Sequence, residues 1–233
     1  MQEKINSEKI ILDICGGTGA WSRYYKENGY DVRVLTLPDT DIMDWTNANM
    51  VEVARLIDSN RIYGILAAPP CTDFSIARND KTAKRPRDLK EAMKIVNQCL
   101  NIVHSCLYNP YRIKENSLKF WVIENPNSGY LKWFLGKPAL VFQPYEYGDP
   151  YTKKTALWGM FNEPVKNIVE PKRGTMVKYA SDFKDIKPVD KVYRDKLGTD
   201  SRTIRRSITP NGFAKQFYEA NKWYTAKFFF KGI

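Results

Sequence analysis

Three apolar, β-branched runs end abruptly at residues that strand interiors do not tolerate. Residues 9–14 run into Cys15-Gly16-Gly17-Thr18-Gly19, residues 63–68 stop at Pro69-Pro70, and residues 119–124 stop shortly before Pro126. Runs of this length without alternation read as strands buried on both faces, the pattern of a parallel sheet under two helical layers. Residues 31–37 alternate and read as a further strand. The intervening stretches carry helical spacing: 20–28, 48–57, and 88–108, where Leu89, Met93, Val96, Leu100 and Val103 share a face. A βαβα order of this kind predicts an α/β fold, a mostly parallel Rossmann-like sheet with helices on both faces. After residue 160 the character changes. Residues 162–205 are Lys-rich, punctuated by proline and weakly periodic, and read as a small irregular subdomain. Thr209-Pro210 predicts a closing helix with Thr209 as N-cap and Pro210 in its first turn, carrying Phe213, Phe217, Ala220 and Trp223.

At 233 residues and 43% hydrophobic content, the chain can bury one sizeable core. It has no apolar run of about 18 residues, so no membrane span is expected, and its charged, polar N-terminus does not resemble a secretory signal. A cytoplasmic location is the resulting expectation. The four cysteines, Cys15, Cys71, Cys99 and Cys106, form no CxxC pair, and no disulfide framework is expected. His104 is the single histidine, which removes most imidazole catalysis and most zinc sites from consideration. It reads as a helix residue, and no metal is expected. The net charge of +11 favours a polyanionic partner.

The strand-end motifs carry the chemistry. In Leu12-Asp13-Ile14-Cys15-Gly16-Gly17-Thr18-Gly19-Ala20-Trp21, a glycine-rich turn between strand and helix lets a nucleotide-like ligand approach the backbone. Its spacing is not that of a pyrophosphate-binding GxGxxG turn. The plain alternative is a tight strand–helix connection. In Pro69-Pro70-Cys71-Thr72-Asp73-Phe74-Ser75, a thiol stands at the carboxyl end of a strand, where open α/β sheets bind ligands. In Glu124-Asn125-Pro126, a carboxylate ends a third strand at the same edge. Such a group is costly there without a partner or a task, although a Glu capping the next turn would also occupy that place.

Taken together and in this order, the three motifs resemble those of the DNA cytosine-C5 methyltransferases. The resemblance extends to Tyr147-Gly148-Asp149-Pro150-Tyr151-Thr152-Lys153-Lys154-Thr155 and to Arg206-Ser207-Ile208-Thr209-Pro210. It implies a class I methyltransferase fold in three parts: a catalytic domain over residues 1–160 that binds S-adenosyl-L-methionine, a short target-recognition region at 161–205, and a C-terminal helix at 206–233. It also implies that Cys71 adds to C6 of a cytosine flipped out of duplex DNA, while Glu124 protonates N3 and Asn125 fixes the loop. Asp13, Cys15, Gly16, Gly17, Thr18, Gly19, Ala20, Trp21 and Pro69 would surround the cofactor, and Asp41-Ile42 would meet its adenine.

The chain departs from the family pattern in places. Thr72 stands where the family usually has Gln. Strand two ends without the acidic residue that binds the cofactor ribose, leaving Asp39 as the candidate. Lys153, with Lys154 beside it, stands where the family's cytosine-binding Arg would be, as a point charge without the bidentate fork. Ser75, Arg78, Lys81, Lys84, Arg85, Arg87, Lys154, Arg173, Arg202 and Arg206 are the candidate contacts to double-stranded DNA. So short a recognition region implies a context of about two to three base pairs and phosphate-dominated binding. The resemblance implies a monomer, in a prokaryotic or phage-infected cell. Two other readings stay open: an RNA cytosine-C5 methyltransferase, and a catalytically silent homologue that binds nucleic acid.

Overall fold

The computed structural model describes residues 5–76, 85–108, 116–172 and 207–222. Its framework is a six-stranded sheet in the order β2-β1-β3-β4-β6-β5. The strands are β1 (Ile10–Ile14), β2 (Asp31–Leu35), β3 (Ile62–Ala67), β4 (Phe120–Pro126), β5 (Leu140–Phe142) and β6 (Thr155–Met160). The first four pair in parallel. β6 runs antiparallel to both β4 and β5. The architecture is thus α/β with a mostly parallel sheet, compatible with a Rossmann-like fold. The antiparallel β5–β6 pair leaves little mark on the sequence, because β5 is only three residues long and β6 carries Gly159 in mid-strand.

The buried strands explain the two helical layers. Along β1, Ile10, Leu12 and Ile14 join one apolar cluster and Ile11 joins the other. β4 divides likewise, with Ile123 on the first side and Phe120 and Val122 on the second. Each fully buried Ile or Leu contributes roughly 1.5–3 kcal/mol through burial, before opposing entropy. The first cluster is covered by α2 (Ala48–Asp58) and α3 (Leu89–Leu107). α3 starts where Asp88 accepts the Glu91 amide at 3.0 Å, and it buries Val96, Cys99, Ile102, Val103 and Cys106.

The second cluster is aromatic. Trp21 and Tyr25 pack with Phe120, Phe213 and Phe217, and Phe142 stacks on Phe213 with ring centroids 3.9 Å apart. It is covered by α1 (Arg23–Glu27) and the closing helix α5 (Asn211–Asn221), while a short α4 (Lys132–Leu135) follows β4. Helix α1 is shorter than the expected 20–28, because residues 16–22 are spent in the glycine-rich turn. β2 ends at Leu35 rather than Leu37, since Thr36 already turns the chain and accepts the Thr40 amide.

The closing helix exists, but Thr209 does not cap it. Its N-cap position is Pro210, which offers no side-chain cap. The carboxylate of Asp149, more than sixty residues earlier, accepts the Gly212 amide at 2.7 Å. Asp149 thereby takes the task assigned to Thr209. A remote carboxylate satisfies the same orphan amides and also favours the positive end of the helix dipole.

Residues 161–172 pack on this same unit rather than starting an independent region. Phe161 meets Phe217, the Asn167 amide reaches the Glu146 carbonyl, and Asn162 pairs with the Asn221 side chain. The remainder of the expected recognition region, with Arg173 and Arg202, lies outside the described residues, as do Arg78, Lys81, Lys84, Arg206 and Trp223. No helix among the described residues is long and apolar enough to cross a membrane.

A Cβ added at Gly212 would collide with the Tyr147 carbonyl oxygen and come within 2.9 Å of the Asp149 carboxylate. Gly212→Ala is therefore expected to destabilise the protein by about 1–3 kcal/mol. Asp149→Ala should cost about 1 kcal/mol. Urea unfolding followed by tryptophan fluorescence checks both, and a Gly212→Ala midpoint equal to that of the unaltered chain would contradict the close packing described.

Candidate active site

Parallel pairing sends the carboxyl ends of β1, β2, β3 and β4 to one edge. The order reverses at β1, which has β2 on one side and β3 on the other. Ligands of open α/β sheets bind at such a switch point, outside the strand ends. The register places Ile14 beside Ala67 and Ala67 beside Ile123. The Gly-rich turn, the Pro-Cys loop and Glu124 therefore leave the sheet at nearly one level.

The turn after β1 needs its glycines. Cys15, Gly17 and Gly19 have φ values of 55°, 55° and 69°, the left-handed region. A Cβ on Gly16 would strike the Asp13 carboxylate beneath it, whereas one on Gly17 would meet nothing within 4 Å. Cys15, Gly16, Gly17, Thr18, Gly19 and Ala20 are all partly exposed along this edge. Asp13 is not. It is completely buried and accepts the Ser22 hydroxyl at 2.6 Å, with one carboxylate oxygen unpaired. Burial raises its pKa to about 6, against the lowering effect of Ser22. Asp13 thereby ties the end of β1 to Ser22 at the far side of the turn. No local pattern marks Ser22, nine residues on, as its partner.

Other residues assigned to the cofactor divide in the same way. Asp41 is exposed at the strand-two end, its carboxylate accepting the Met43 amide at 2.9 Å. Asp39 is exposed nearby. Ile42 is 4% exposed and packs in the core, with its carbonyl held by buried Gln98. Trp21 lies in the aromatic cluster and presents almost no surface. Pro69 is buried too. Ile42, Trp21 and Pro69 therefore lie inside the protein rather than on the surface of the strand-end edge.

Cys71 is exposed, and its carbonyl accepts the amides of Phe74 and Ser75 at 3.0 and 2.8 Å, which curls the loop into a turn. Asn125 is fully buried and donates its side-chain amide to the Pro69 carbonyl at 3.1 Å. The residue beside Glu124 is thus tied to the residue two before Cys71. Glu124 sits at the mouth, its side chain mostly buried. Burial raises its pKa, and Lys153, with Nζ 3.8 Å from Oε1, opposes that rise. The Lys153 ammonium also donates to the Ile208 carbonyl at 3.3 Å. Cys71, Glu124, Asn125 and Lys153 are therefore contributed by one edge of the sheet, three of them joined by polar contacts to a neighbouring site element.

The described basic residues assigned to DNA are placed unequally. Lys154 is exposed. Arg85 pairs with Asp73 at 2.8 Å, and Arg87 donates to the carbonyls of Asp73 and Ser75 while lying over the Tyr130 ring. Both arginines staple the far end of the Cys71 loop to the start of α3. Ser75 supplies a carbonyl to that staple. Among the described residues, no cluster of three or more metal-binding side chains occurs. No protein-family model matches the chain, and no curated protein matches it.

Asp13 supplies a pH test of the turn. Its folded pKa lies above the unfolded value of 3.8, so its contribution favours folding below about pH 4 and is lost as pH rises through about 6. Relative to Asp13→Asn, the unaltered chain should lose about 3 kcal/mol of stability across that interval. Urea midpoints measured from pH 4 to pH 7 check this, and parallel curves for the two proteins would contradict it.

Proposed function

We propose that the chain is a DNA cytosine-C5 methyltransferase of the class I fold, using S-adenosyl-L-methionine. The observation that carries this reading is the Asn125–Pro69 hydrogen bond. It couples an exposed cysteine and a buried carboxylate of raised pKa at the carboxyl edge of the parallel strands β3 and β4. The glycine-rich turn fits the cofactor chemically: its backbone is accessible, and space above Gly17 is open. Gly16 to Gly19 would hold it, with Asp41 at the adenine and Asp39 at the ribose. When bound, the cofactor supplies an electrophilic methyl group.

The chain's own residues do the rest. Cytosine C5 is a poor nucleophile until the ring accepts an electron pair at C6. The Cys71 thiolate forms the S–C6 bond, and charge moves through the ring to N3, where Glu124 in its protonated form donates a proton. Burial keeps that proton on Glu124 to higher pH than on an ordinary glutamate. Lys153 stands where it can balance negative charge developing on the base. C5 then takes the methyl, loses its proton to a base, and the S–C6 bond breaks to release Cys71 as thiolate. Buried Asn125 keeps the two loops in register throughout. The base must leave its stack to reach this edge.

Tritium transfer from labelled cofactor to duplex DNA, single-stranded DNA and tRNA tests the reading. Label in duplex DNA is expected. Label in tRNA alone would replace it with the RNA reading, and none anywhere would leave a silent homologue. Cys71→Ser should reduce transfer to a few per cent or less, and Glu124→Gln should lower it about 10²- to 10⁴-fold. Because Lys153 holds the Glu124 pKa down, Lys153→Met should lower the rate and move the alkaline limb of the rate profile to higher pH. An unmoved limb would show that Glu124 is not the acid.

A further inference from the structure

Large exposed aromatic side chains cluster beside the Cys71 loop. Trp133 is 72% exposed and Phe134 48%, both on α4 just after the Glu124 strand end. Their position is fixed by the loop itself. The Tyr130 amide donates to the Phe74 carbonyl at 2.9 Å, and Phe134 meets the ring of buried Phe74 edge-on. Trp133 packs against Tyr130 with centroids 4.9 Å apart, and the Arg87 guanidinium lies 4.7 Å from the Tyr130 ring centre. Arg87 in turn holds the carbonyls of Asp73 and Ser75. A guanidinium, a phenol and an indole thus form a braced platform on the scaffold that presents Cys71.

Exposing two large aromatic rings is unfavourable in water unless something covers them. The local charge indicates what. Residues 127–140 contain Lys132 and Lys137 and no acidic residue, within a chain of net charge +11. Rigid aromatic rings with cations beside them are the means by which proteins stack unpaired bases while tracking the phosphates. We propose that Trp133 and Phe134 form a stacking surface for an unpaired base of the nucleic acid strand whose neighbouring base is held at Cys71. This rests on the reading of Cys71 as a base-directed nucleophile and adds a substrate preference: a strand already open near the target is bound more tightly than intact duplex.

Tryptophan fluorescence during titration with a 12-nucleotide single-stranded DNA, and with the duplex of the same sequence, tests the surface. Single strand should quench the emission and bind more tightly than duplex. Trp133→Ala should remove most of the quenching and weaken single-strand binding about tenfold, Phe134→Ala should weaken it by several fold, and Trp133→Phe should restore most of the affinity. Lys132→Gln should reduce the salt dependence of binding without abolishing quenching in the low-salt complex. Unchanged affinity in Trp133→Ala overturns the proposal. So does concentration-dependent self-association of the unaltered chain that Trp133→Ala abolishes, since the patch would then be covered by a second copy. Tritium transfer to DNA, measured alongside, separates the two readings. Quenching at Trp133 without transfer supports base stacking there but removes the DNA methyltransferase and with it the placing of the neighbouring base at Cys71, whereas transfer without quenching keeps the methyltransferase and overturns the stacking surface.

Discussion

The hydrogen bond from the Asn125 side chain to the Pro69 carbonyl ties the end of β4 to the loop that follows β3. β3 and β4 are parallel neighbours, so their carboxyl ends lie side by side. Strand pairing does not fix the path of the loops beyond the sheet. Pro69 and Pro70 cannot donate to a ladder, and Pro126 ends the next strand. Past Ala67 the chain leaves the sheet and the Pro69 carbonyl lies beyond the ladder, whereas β4 runs on beside β6 as far as Pro126. Asn125 answers that carbonyl from a fully buried position, where an unmet polar group is costly. Its own side-chain oxygen has no partner among the described residues. Cysteine and glutamate acquire a fixed relation because a neutral amide, not a charged group, lies between their loops.

Two buried carboxylates at this edge show how burial and partner charge divide roles. Asp13 and Glu124 both have raised pKa values, and desolvation is the main cause in each. Asp13 takes a neutral hydroxyl, that of Ser22, as its partner and lies under a turn that would clash with it if Gly16 bore a side chain. Glu124 has a lysine close enough to moderate its pKa and remains open to the crevice. The first is suited to holding backbone in place and the second to exchanging a proton. Both types of environment occur at one sheet edge because the register sets the end of β1 level with Ile123, the residue before Glu124.

Strand identity was legible because β1, β3 and β4 are buried on both faces, which leaves an apolar run no other regular place to lie. The same reasoning placed Cys71 and Glu124 at one edge, since strand ends in a parallel sheet share a direction. Local pattern could not show which acidic or basic groups turn inward. Arg85 and Arg87 read as contacts to DNA in sequence, and nothing local marks Asp73, a dozen residues away, as the residue they engage. Asp149 caps a helix across more than sixty residues, so Thr209, the better local candidate, had no means of revealing that its place was taken. Ile42 and Trp21 stood as cofactor contacts because they fall within the motifs that carry the family resemblance, and the fold buries both. Their apolar side chains follow the stronger pull of the core.

The closing helix carries a cost in the order of assembly. Trp21, Tyr25 and Phe120 find their cover in Phe213 and Phe217, about 190 residues beyond the first of them. While the chain is being synthesised, the α2–α3 face of the sheet can close early, but the aromatic face has only α1 over it until residues 211–221 have emerged. Contacts so distant in sequence slow the search for the native state and leave apolar surface open to wrong partners in the meantime. Without α5, Trp21 and Phe120 would lose the rings of Phe213 and Phe217, and the aromatic face would keep only the partial cover of α1.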